Sequence, residues 1–433
     1  MNSGKKTISF ATLGCRYNRF ESAEMAYELN RAGYTHAPEG EAADVVVVNT
    51  CAVTGRGAAK ARAAIRGVKA RHPRARVVVT GCYAELSPDE VAAVEGVDLV
   101  VGNAEKFDLA EALRHMESGA AVMVGVRERP PKLPVRPVTA LEGRTNAYLN
   151  IQSGCGEVCS FCVVRHARGK SRSADAGELV AQVRRLCEAG VHEVVLSGIN
   201  VGQYRDGDTA LARLIGRMLD ETDIARIRLS SVNPNDVTDE LIGLMAHAAP
   251  RFCRHLHIPL QSGSDAILGR MRRPYTAARY EAKLNEIAAR IPDIGLGADV
   301  MTGFPGEGEA EFEQTRALIE RSPVMMLHVF PYSRRPGTEA AAFKDAPVKE
   351  ESRRRAAMLK ALGAAKRTAF IERHAGRVMD VLVETTPDEA TGLLKGFTDT
   401  YIPVVFEGGG EYKGRLARVI LDGAGGGRLA DAP

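Results

Sequence analysis

The sequence has no long hydrophobic segment and no large excess of charge. No run of about 18 apolar residues occurs, and no apolar core follows the polar first residues, which argues against a membrane-spanning helix and a signal peptide. Lys and Arg outnumber Asp and Glu by only 58 − 54 = 4, so charge alone identifies no partner. We therefore expect a soluble, cytoplasmic protein that does not bind membranes.

A disulfide framework is also not expected. The 433 residues are 45% hydrophobic, which excludes a disordered polymer and supplies apolar surface for about three ordinary domains. A reducing compartment keeps cysteines in the thiol form, so the eight cysteines are expected to be thiols. Cys187 and Cys253 lie in helical or apolar contexts and are expected to be small buried hydrophobic residues.

The alternation of strand-like and helical segments predicts an α/β protein. Residues 1–126 alternate β-branched runs with helical stretches, which is typical of a parallel sheet. A proline-rich linker at residues 127–143 separates this N-terminal domain from residues 144–375, where six βα units predict a partial barrel. Residues 376–433 are rich in strand-like runs and glycine, which predicts a small β-barrel whose last dozen residues fray.

Three cysteines lie in one short loop after the first strand of the predicted barrel. Cys155, Cys159 and Cys162, here called the loop cysteines, have the spacing C-x3-C-x2-C. Three thiolates on such a loop can bind three irons of a cubane cluster and leave the fourth iron open to a substrate or cofactor. The alternative is structural zinc, but zinc sites favour four ligands in paired short spacings, and no second C-x2-C pair exists. The spacing therefore favours a catalytic iron–sulfur cluster.

Three more cysteines each follow a strand-like run. Cys15 ends TISFATLGC, Cys51 ends DVVVVNTC and Cys82 ends RVVVTGC, and we call these the strand-end cysteines. Because the carboxyl ends of parallel strands meet at one edge of a sheet, the three thiols are expected to converge. A second three-cysteine cluster is therefore a reasonable hypothesis. The alternative is three unrelated cysteines buried in an α/β core.

Longer motifs surround both cysteine sets. The first domain contains TLGCRYNRFES, VVVNTCAVT and VVTGCYAE, and the barrel contains LNIQSGCGEVCSFCVVRHARGKSRS, EVVLSGINVGQY, LHIPLQSGSDAILGRMRRPYT, ADVMTGFPGE and HVFPYSRRPGT. Over nearly the whole chain this set resembles the methylthiotransferase family of radical S-adenosylmethionine enzymes, and the tail resembles the RNA-binding TRAM domain. VVVNTCAVT most resembles the branch that acts on N6-threonylcarbamoyladenosine in tRNA.

The resemblance implies two [4Fe–4S] clusters and S-adenosylmethionine as cofactors. The loop cysteines would bind the cluster that reduces S-adenosylmethionine to give a 5′-deoxyadenosyl radical, and the strand-end cysteines would bind an auxiliary cluster that carries the sulfur to be methylated. The radical would abstract hydrogen from C2 of the modified adenine at position 37 of tRNA, and the methylthio group would join that carbon. One departure from the family is Arg165, which stands where a proline is common after the third loop cysteine.

Candidate contacts to S-adenosylmethionine lie mainly after the strands of the predicted barrel, where barrels carry their sites. Related enzymes hold the amino group of the cofactor after the second strand, short polar side chains suit a ribose or carboxylate, and glycines let the backbone approach an adenine. No acid or base beyond the cluster ligands is indicated. The candidates are Phe161 in the cysteine loop, Ser197, Gly198 and Asn200 after the second strand, Gln261 and Ser262 after the fourth, and Asp299 and Gly303 on and after the fifth.

Two histidines, His255 and His257, share one face of the fourth strand. A metal role is not favoured for them, because no carboxylate or third histidine in that stretch completes a ligand set.

The expected macromolecular partners are a tRNA anticodon stem-loop and an electron-donor protein of the flavodoxin or ferredoxin type, but not DNA. Residues 349–377 hold nine basic and three acidic residues beside the predicted RNA-binding barrel, which favours phosphate contacts over a merely solvated helix. In the tail, Phe397 and Tyr401 offer rings on which bases could stack.

Three other functions stay open from the sequence. The protein could act on isopentenyladenosine in tRNA, or on an aspartate of a ribosomal protein, as sister methylthiotransferases do. It could also be a non-catalytic RNA-binding iron–sulfur protein.

Overall fold

The computed structural model describes residues 6–38, 40–52, 55–117, 121–124, 128–136 and 145–430. Residues 127 and 137–143 of the predicted linker lie outside these ranges. The helices are α1 (Arg16–Arg31), α2 (Gly55–Arg71), α3 (Cys82–Leu86), α4 (Pro88–Ala92), α5 (Leu109–Glu117), α6 (Val164–Arg168), α7 (Ala176–Glu188), α8 (Leu211–Glu221), α9 (Asp239–Ala248), α10 (Asp265–Arg270), α11 (Ala277–Arg290), α12 (Glu309–Arg321) and α13 (Lys349–Glu372).

The strands are β1 (Thr7–Thr12), β2 (Thr35–His36), β3 (Val45–Thr50), β4 (Arg76–Gly81), β5 (Leu99–Val101), β6 (Val122–Met123), β7 (Asn146–Asn150), β8 (Gln152–Ser153), β9 (Arg172–Ser173), β10 (Glu193–Ser197), β11 (Arg205–Asp206), β12 (Thr209–Ala210), β13 (Arg226–Leu229), β14 (His255–His257), β15 (Gly295–Thr302), β16 (Met326–Pro331), β17 (Val378–Val383), β18 (Leu394–Thr398), β19 (Pro403–Phe406), β20 (Leu416–Leu421) and β21 (Gly426–Leu429).

The chain forms two compact units. The first consists of Met1–Val138, Ser153–Arg172 and Ser333–Ala341, and the second of Thr139–Gln152, Ser173–Tyr332 and Ala342–Pro433. The loop cysteines therefore belong to the same unit as the strand-end cysteines. The division into segments 1–126, 127–143, 144–375 and 376–433 stays a prediction.

A six-stranded parallel sheet forms the centre of the first unit, in the order β2-β1-β3-β4-β5-β6. Val45 to Val48 of β3 are all buried, and they alternate between two hydrophobic clusters, one on each face. Such a continuous valine run suits a parallel strand covered by helices on both sides. The predicted parallel sheet is confirmed, and the two-residue strands β2 and β6 extend it at its edges.

Six parallel strands in the second unit form the predicted partial barrel. They make two three-stranded sheets, β13-β10-β7 and β14-β15-β16, and parallel bridges from Ile227 to Phe252 and from Ser231 to His257 lie between them. Helices α7 to α12 follow the strands in sequence, as βα units require. The predicted α/β class and the six barrel strands are confirmed.

A closed five-stranded barrel, β17-β18-β19-β21-β20, ends the described chain. The expectation that the last dozen residues fray is wrong for β21, which pairs with both β19 and β20. Asp422 accepts hydrogen bonds from the backbone N–H groups of Ala424 and Gly426, which turns the chain into this strand. Pairing on both sides leaves β21 no unpaired edge.

No helix among the described residues is both long enough and apolar enough to cross a membrane.

Candidate functional site

The strand-end cysteines follow three neighbouring strands of the first-unit sheet. Thr12 of β1 pairs with Asn49 of β3, and Thr50 of β3 pairs with Gly81 of β4. Cys51 directly follows β3, Cys82 opens α3 directly after β4, and Cys15 lies three residues beyond β1. The structure thus places all three cysteines at the carboxyl edge of one parallel sheet.

Gly14 brings the Cys15 segment directly against Cys51. Its φ is +100°, and a Cβ at this position would lie 2.5 Å from Cys51 Cβ and 3.0 Å from Cys51 Sγ. Only glycine fits so close an approach at this backbone angle. The absence of a side chain at Gly14 therefore leaves the Cys51 thiol room beside the Cys15 loop.

The loop cysteines lie in a tightly turned segment that continues into α6. Cys162 N–H donates to the Cys159 carbonyl at 3.1 Å, and Val164 N–H donates to Cys162 Sγ at 3.4 Å. Backbone N–H groups aimed at a cysteine sulfur are a usual feature of iron–sulfur sites. The Arg165 guanidinium donates to the Gly156 carbonyl at 3.4 Å, so the residue in the proline's place contacts the loop it follows.

The cysteines of the two sets are thiols that, in the described part of the chain, do not form a close group of three. All eight cysteines are thiols, and the six in the two sets are at least partly accessible except Cys82, which is buried. Among the described residues, the one group of three potential ligands within 4.8 Å of each other contains no cysteine. No three of the described cysteines therefore lie close enough together to share one metal ion.

Sequence analysis missed a buried charged network beside these cysteines. Arg168 donates to both carboxylate oxygens of Glu21, at 2.8 and 3.0 Å, and Lys106 Nζ lies 2.6 Å from Glu21 Oε1. Burial alone would raise the pKa of Glu21, but the two cations outweigh it and lower that pKa to about 2. Glu21 therefore stays ionised, although it is 3% exposed.

Arg335 is a third cation that the local sequence pattern did not indicate. Burial lowers the pKa of Arg335, while the neighbouring Cys51, Tyr83 and Glu90 oppose that shift. Within the part of the chain that the structure describes, its Nε atom is buried without a hydrogen-bond partner. Arg335 thus places positive charge near Cys51.

Glu24, one turn after Glu21 on α1, makes stability depend on pH. Burial raises its pKa to about 8, and Arg136 only partly offsets this. The folded protein therefore holds a proton on Glu24 that the unfolded chain releases near pH 4.5. The contribution of this proton to stability is complete below pH 4.5 and is lost as the pH rises through about 8. Between pH 6 and 8 we expect the wild type to lose roughly 2 kcal/mol of unfolding free energy from this group, whereas Glu24→Gln loses none of it. Urea unfolding of wild type and Glu24→Gln at pH 6 and pH 8 measures the change in unfolding free energy. An equal change in the two proteins would contradict the assignment of this pH dependence to Glu24.

The loop after β10 holds three predicted cofactor contacts. Gln152 Oε1 accepts hydrogen bonds from the backbone N–H groups of Ile199 and Asn200 at 3.0 and 2.9 Å, which shapes the turn. Ser197 is buried at the end of β10, and Gly198 lies against Gln152. Asn200 Nδ2 donates to Asp236 at 3.0 Å.

The two residues after the fourth strand differ in what they offer. Gln261 has a φ of +67°, which is strained for a residue other than glycine, and such strain is often found at functional sites. Ser262 Oγ lies 3.3 Å from Thr315 Oγ1 and accepts from Ser264 N–H at 3.2 Å. The Ser262 hydroxyl therefore holds the loop itself together.

Asp299 already has two histidine partners. Its Oδ1 lies 3.0 Å from His257 Nε2 and 3.4 Å from His328 Nδ1, and these hydrogen bonds outweigh burial and lower the pKa of Asp299. Sequence analysis found no carboxylate near His257, because Asp299 and His328 come from the next two strands. Gly303 has a φ of +72°, and a Cβ there would lie 2.0 Å from Ser352 Oγ, so this glycine permits close packing of α13.

Three buried amide side chains at or after strands of the partial barrel keep polar atoms without protein partners. Among the described residues these are both terminal atoms of Asn150, Oδ1 of Asn200 and Oε1 of Gln261. A buried polar atom normally has a partner, so this set suits a polar ligand such as S-adenosylmethionine. Asn150 was not predicted, although its place at the end of the first barrel strand is the signal that picked out the others.

Two aromatic residues expected to stack on RNA bases are occupied within the second unit. Phe397 and Tyr401 stack with ring centroids 4.9 Å apart, and Tyr401 stacks on His255 at 4.5 Å. The basic surplus of α13 is also partly neutralised: Arg354 pairs with Glu351 and Arg355 with Glu307. These rings and guanidinium groups therefore already have partners within the second unit.

The comparisons with known proteins agree with this geometry. Residues 7–102 match the uncharacterized protein family UPF0004, and residues 149–319 match the radical SAM superfamily. Among solved structures, the radical S-adenosylmethionine methyltransferase TsrM from Kitasatospora setae, with tryptophan substrate and a SAM analogue bound, has a TM-score of 0.60 at 15% identity. The match covers 78% of this chain and 75% of that one, and it shows a shared fold.

The partial barrel and the three-cysteine loop thus define a radical S-adenosylmethionine protein, a class that binds S-adenosylmethionine and a [4Fe–4S] cluster. This chain is 38% identical to Threonylcarbamoyladenosine tRNA methylthiotransferase MtaB of Aquifex aeolicus, over 96% of this chain and 100% of the relative. It is 35% identical to the protein of the same name from Bacillus subtilis, over 97% of this chain and 94% of the relative. tRNA-2-methylthio-N(6)-dimethylallyladenosine synthase of Anaeromyxobacter sp. is 36% identical over 98% and 94%. The chain belongs to the methylthiotransferase family of radical S-adenosylmethionine enzymes.

Proposed function

We propose that this protein converts N6-threonylcarbamoyladenosine at position 37 of tRNA into its 2-methylthio derivative. The observation that carries the proposal is the presence in one unit of two cysteine trios, in a chain that matches the MtaB proteins over almost their entire length. When bound, the two clusters and S-adenosylmethionine supply the electron, the radical and the methylated sulfur. The protein binds and orients them and keeps water out.

The residues divide this work between them. The loop cysteines bind the cluster that meets S-adenosylmethionine, and the strand-end cysteines bind the auxiliary cluster. Asn150, Asn200 and Gln261 offer their unsatisfied atoms to the polar groups of S-adenosylmethionine. Ser197, Gly198, Ser262 and Gly303 shape the surrounding loops, while Phe161 and Asp299 complete the predicted set of cofactor contacts.

Binding of a tRNA anticodon stem-loop is assigned to the second unit, whose closed C-terminal barrel resembles a TRAM domain in sequence. The barrel presents cations such as Lys413 and Arg415, and α13 adds Lys360 and Arg367. Such cations bind phosphates without reading sequence. The reaction also needs one-electron reduction, for which we propose a flavodoxin- or ferredoxin-like donor in the cytoplasm.

Mass spectrometry of tRNA nucleosides from a deletion strain tests the substrate. Loss of 2-methylthio-N6-threonylcarbamoyladenosine, restored by the intact gene and not by a Cys159→Ala variant, is expected. Loss of the 2-methylthio derivative of isopentenyladenosine instead would support the second candidate, a methylthiotransferase that acts on isopentenyladenosine. The similarity to tRNA-2-methylthio-N(6)-dimethylallyladenosine synthase is the observation that favours this candidate. Unchanged tRNA with a changed ribosomal-protein aspartate would overturn the tRNA assignment.

Gly14→Ala is expected to remove the auxiliary cluster alone. An added Cβ would collide with Cys51 and displace it, so iron per chain should fall from about eight to about four, which is the content of one cluster. Gly33→Ala is the matched control, because Gly33 also has a positive φ, +95°, but has no atom within 4 Å of the added Cβ. Iron analysis after anaerobic reconstitution measures both. Full iron in Gly14→Ala would contradict the placement of the auxiliary cluster.

A further inference from the structure

A buried polar network connects the exit of the cysteine loop to the strand-end cysteines. Arg168, at the end of α6 and six residues after Cys162, makes a two-pronged ion pair with Glu21 and donates to Asn18 Oδ1 at 3.0 Å. Arg168 is 3% exposed and Asn18 1% exposed. A charge-assisted, bidentate pair of this kind fixes both distance and orientation.

Asn18 carries that connection to the cysteine segments. Its Nδ2 donates to the Leu13 carbonyl at 3.0 Å and to the Thr50 carbonyl, immediately before Cys51, at 2.9 Å. Its Oδ1, which accepts from Arg168, also lies 3.8 Å from Cys15 Sγ. One amide side chain therefore contacts the segments of two strand-end cysteines and the arginine that follows the cysteine loop.

The third strand-end cysteine is linked to the network by charge. Burial lowers the pKa of Arg168, but the interactions of Arg168 with the neighbouring Cys82 and Glu21 outweigh burial and raise that pKa well above its usual value. Burial lowers the pKa of Lys106, and Glu21 and Cys82 only partly oppose that shift. Both cations therefore lie within the field of Cys82.

The network holds one more positive than negative charge. Arg168 and Lys106 contribute two cations, and Glu21 contributes one anion. Glu24 does not supply the second anion at neutral pH, because its pKa is about 8. An unmatched buried charge is costly, and a Cys82 thiolate that ligates iron would provide the missing negative charge.

We propose that Asn18, Glu21, Lys106 and Arg168 form a positioning network that fixes the two cysteine sets relative to each other and raises the reduction potential of the auxiliary cluster. Reduction adds a negative charge to the cluster, so a net buried cation that contacts the Cys15 and Cys51 segments through Asn18 favours the reduced state. Net charge and hydrogen bonding are the usual determinants of cluster potential. The inference rests on the auxiliary cluster of the proposed function, but neither S-adenosylmethionine nor tRNA enters its test.

The test is a redox titration, followed by electron paramagnetic resonance, of full-length protein in which the loop cysteines are replaced by alanine, so that only the auxiliary cluster is present. In that background, Arg168→Gln should lower the reduction potential of the cluster. At a fixed applied potential the reduced-to-oxidised ratio should fall at least tenfold, which corresponds to a shift of about 59 mV for a one-electron couple. Glu21→Gln should shift the potential in the opposite direction, because it removes the carboxylate that pairs with both Arg168 and Lys106. Arg168→Lys should restore the potential by keeping the charge.

Arg76→Gln is the matched control. It removes the same charge from the opposite end of β4, where Arg76 pairs with Asp98 on the surface, and should leave the potential unchanged. If Arg168→Gln fails to assemble a cluster, the opposite shift in Glu21→Gln still decides the question. Potentials that stay unchanged in Glu21→Gln, or that move in the same direction in Glu21→Gln and Arg168→Gln, would overturn the proposal. Loss of tRNA activity with these shifts intact would count against the proposed function alone.

Discussion

Cys159→Ala is expected to abolish the formation of 5′-deoxyadenosine from S-adenosylmethionine, whereas Cys51→Ala is expected to retain a measurable part of it and to lose methylthiolation completely. The reason is the separation of the two cysteine sets. Cys159 lies in the turn of the cysteine loop, where its carbonyl accepts from Cys162 N–H. Cys51 directly follows β3, at the carboxyl edge of the parallel sheet in the same unit, and lies against Gly14.

The measurement is liquid chromatography of anaerobic, reduced reaction mixtures, which quantifies 5′-deoxyadenosine and modified adenosine in the same sample. Cys187→Ala is the matched control, because Cys187 is a partly buried thiol of α7 that belongs to neither set and should support both activities. Equal loss of 5′-deoxyadenosine in Cys159→Ala and Cys51→Ala would contradict the division of labour between the clusters.

The sequence predicted those parts of the fold that depend on local pattern. The valine run of β3 and the six barrel strands follow from strand propensity and spacing, and the place of the strand-end cysteines follows from the geometry of parallel strands. β18 and β21 are not evident from local pattern, because their residues, LKGFT and GGRL, carry little strand propensity and are held by pairing with other strands.

The functional residues that were missed depend on contacts between distant parts of the chain. Arg168 and Glu21 are 147 residues apart, so no local pattern connects them. His257 lacked a carboxylate in its own stretch and obtained one from β15. Phe397 and Tyr401 looked suited to RNA bases because aromatic residues in a basic tail often are, yet both are half-buried and their rings stack within the second unit, on each other and, for Tyr401, on His255.

Glu193 is the position in the second unit where one substitution should have the largest effect on stability. It is buried at the start of β10, 3.0 Å from Arg226 and 3.1 Å from Arg228. Both arginines also donate to backbone carbonyls of the C-terminal barrel: Arg226 to Asp380 and Phe397, and Arg228 to Thr398 and Asp399. Glu193 therefore neutralises the charges that join that barrel to the βα strands.

Glu193→Ala should cost about 3–5 kcal/mol, because it leaves two buried guanidinium groups without an anion. Burial raises the pKa of Glu193, but the arginines outweigh it and lower that pKa to about 2. The stabilisation is therefore complete above pH 4.5 and is lost as the pH falls through about 2, so the difference between wild type and Glu193→Gln should shrink as the pH falls below 4.5.

Urea unfolding at pH 7 and limited proteolysis of the C-terminal barrel measure the effect of Glu193→Ala. Glu221→Ala is the matched control, because its ion pair with Arg217 is exposed and should contribute little to stability. If Glu193→Ala unfolds at the same urea concentration as Glu221→Ala and releases no barrel fragment, the arginines do not depend on Glu193. The backbone carbonyls of the C-terminal barrel would then be sufficient to hold them.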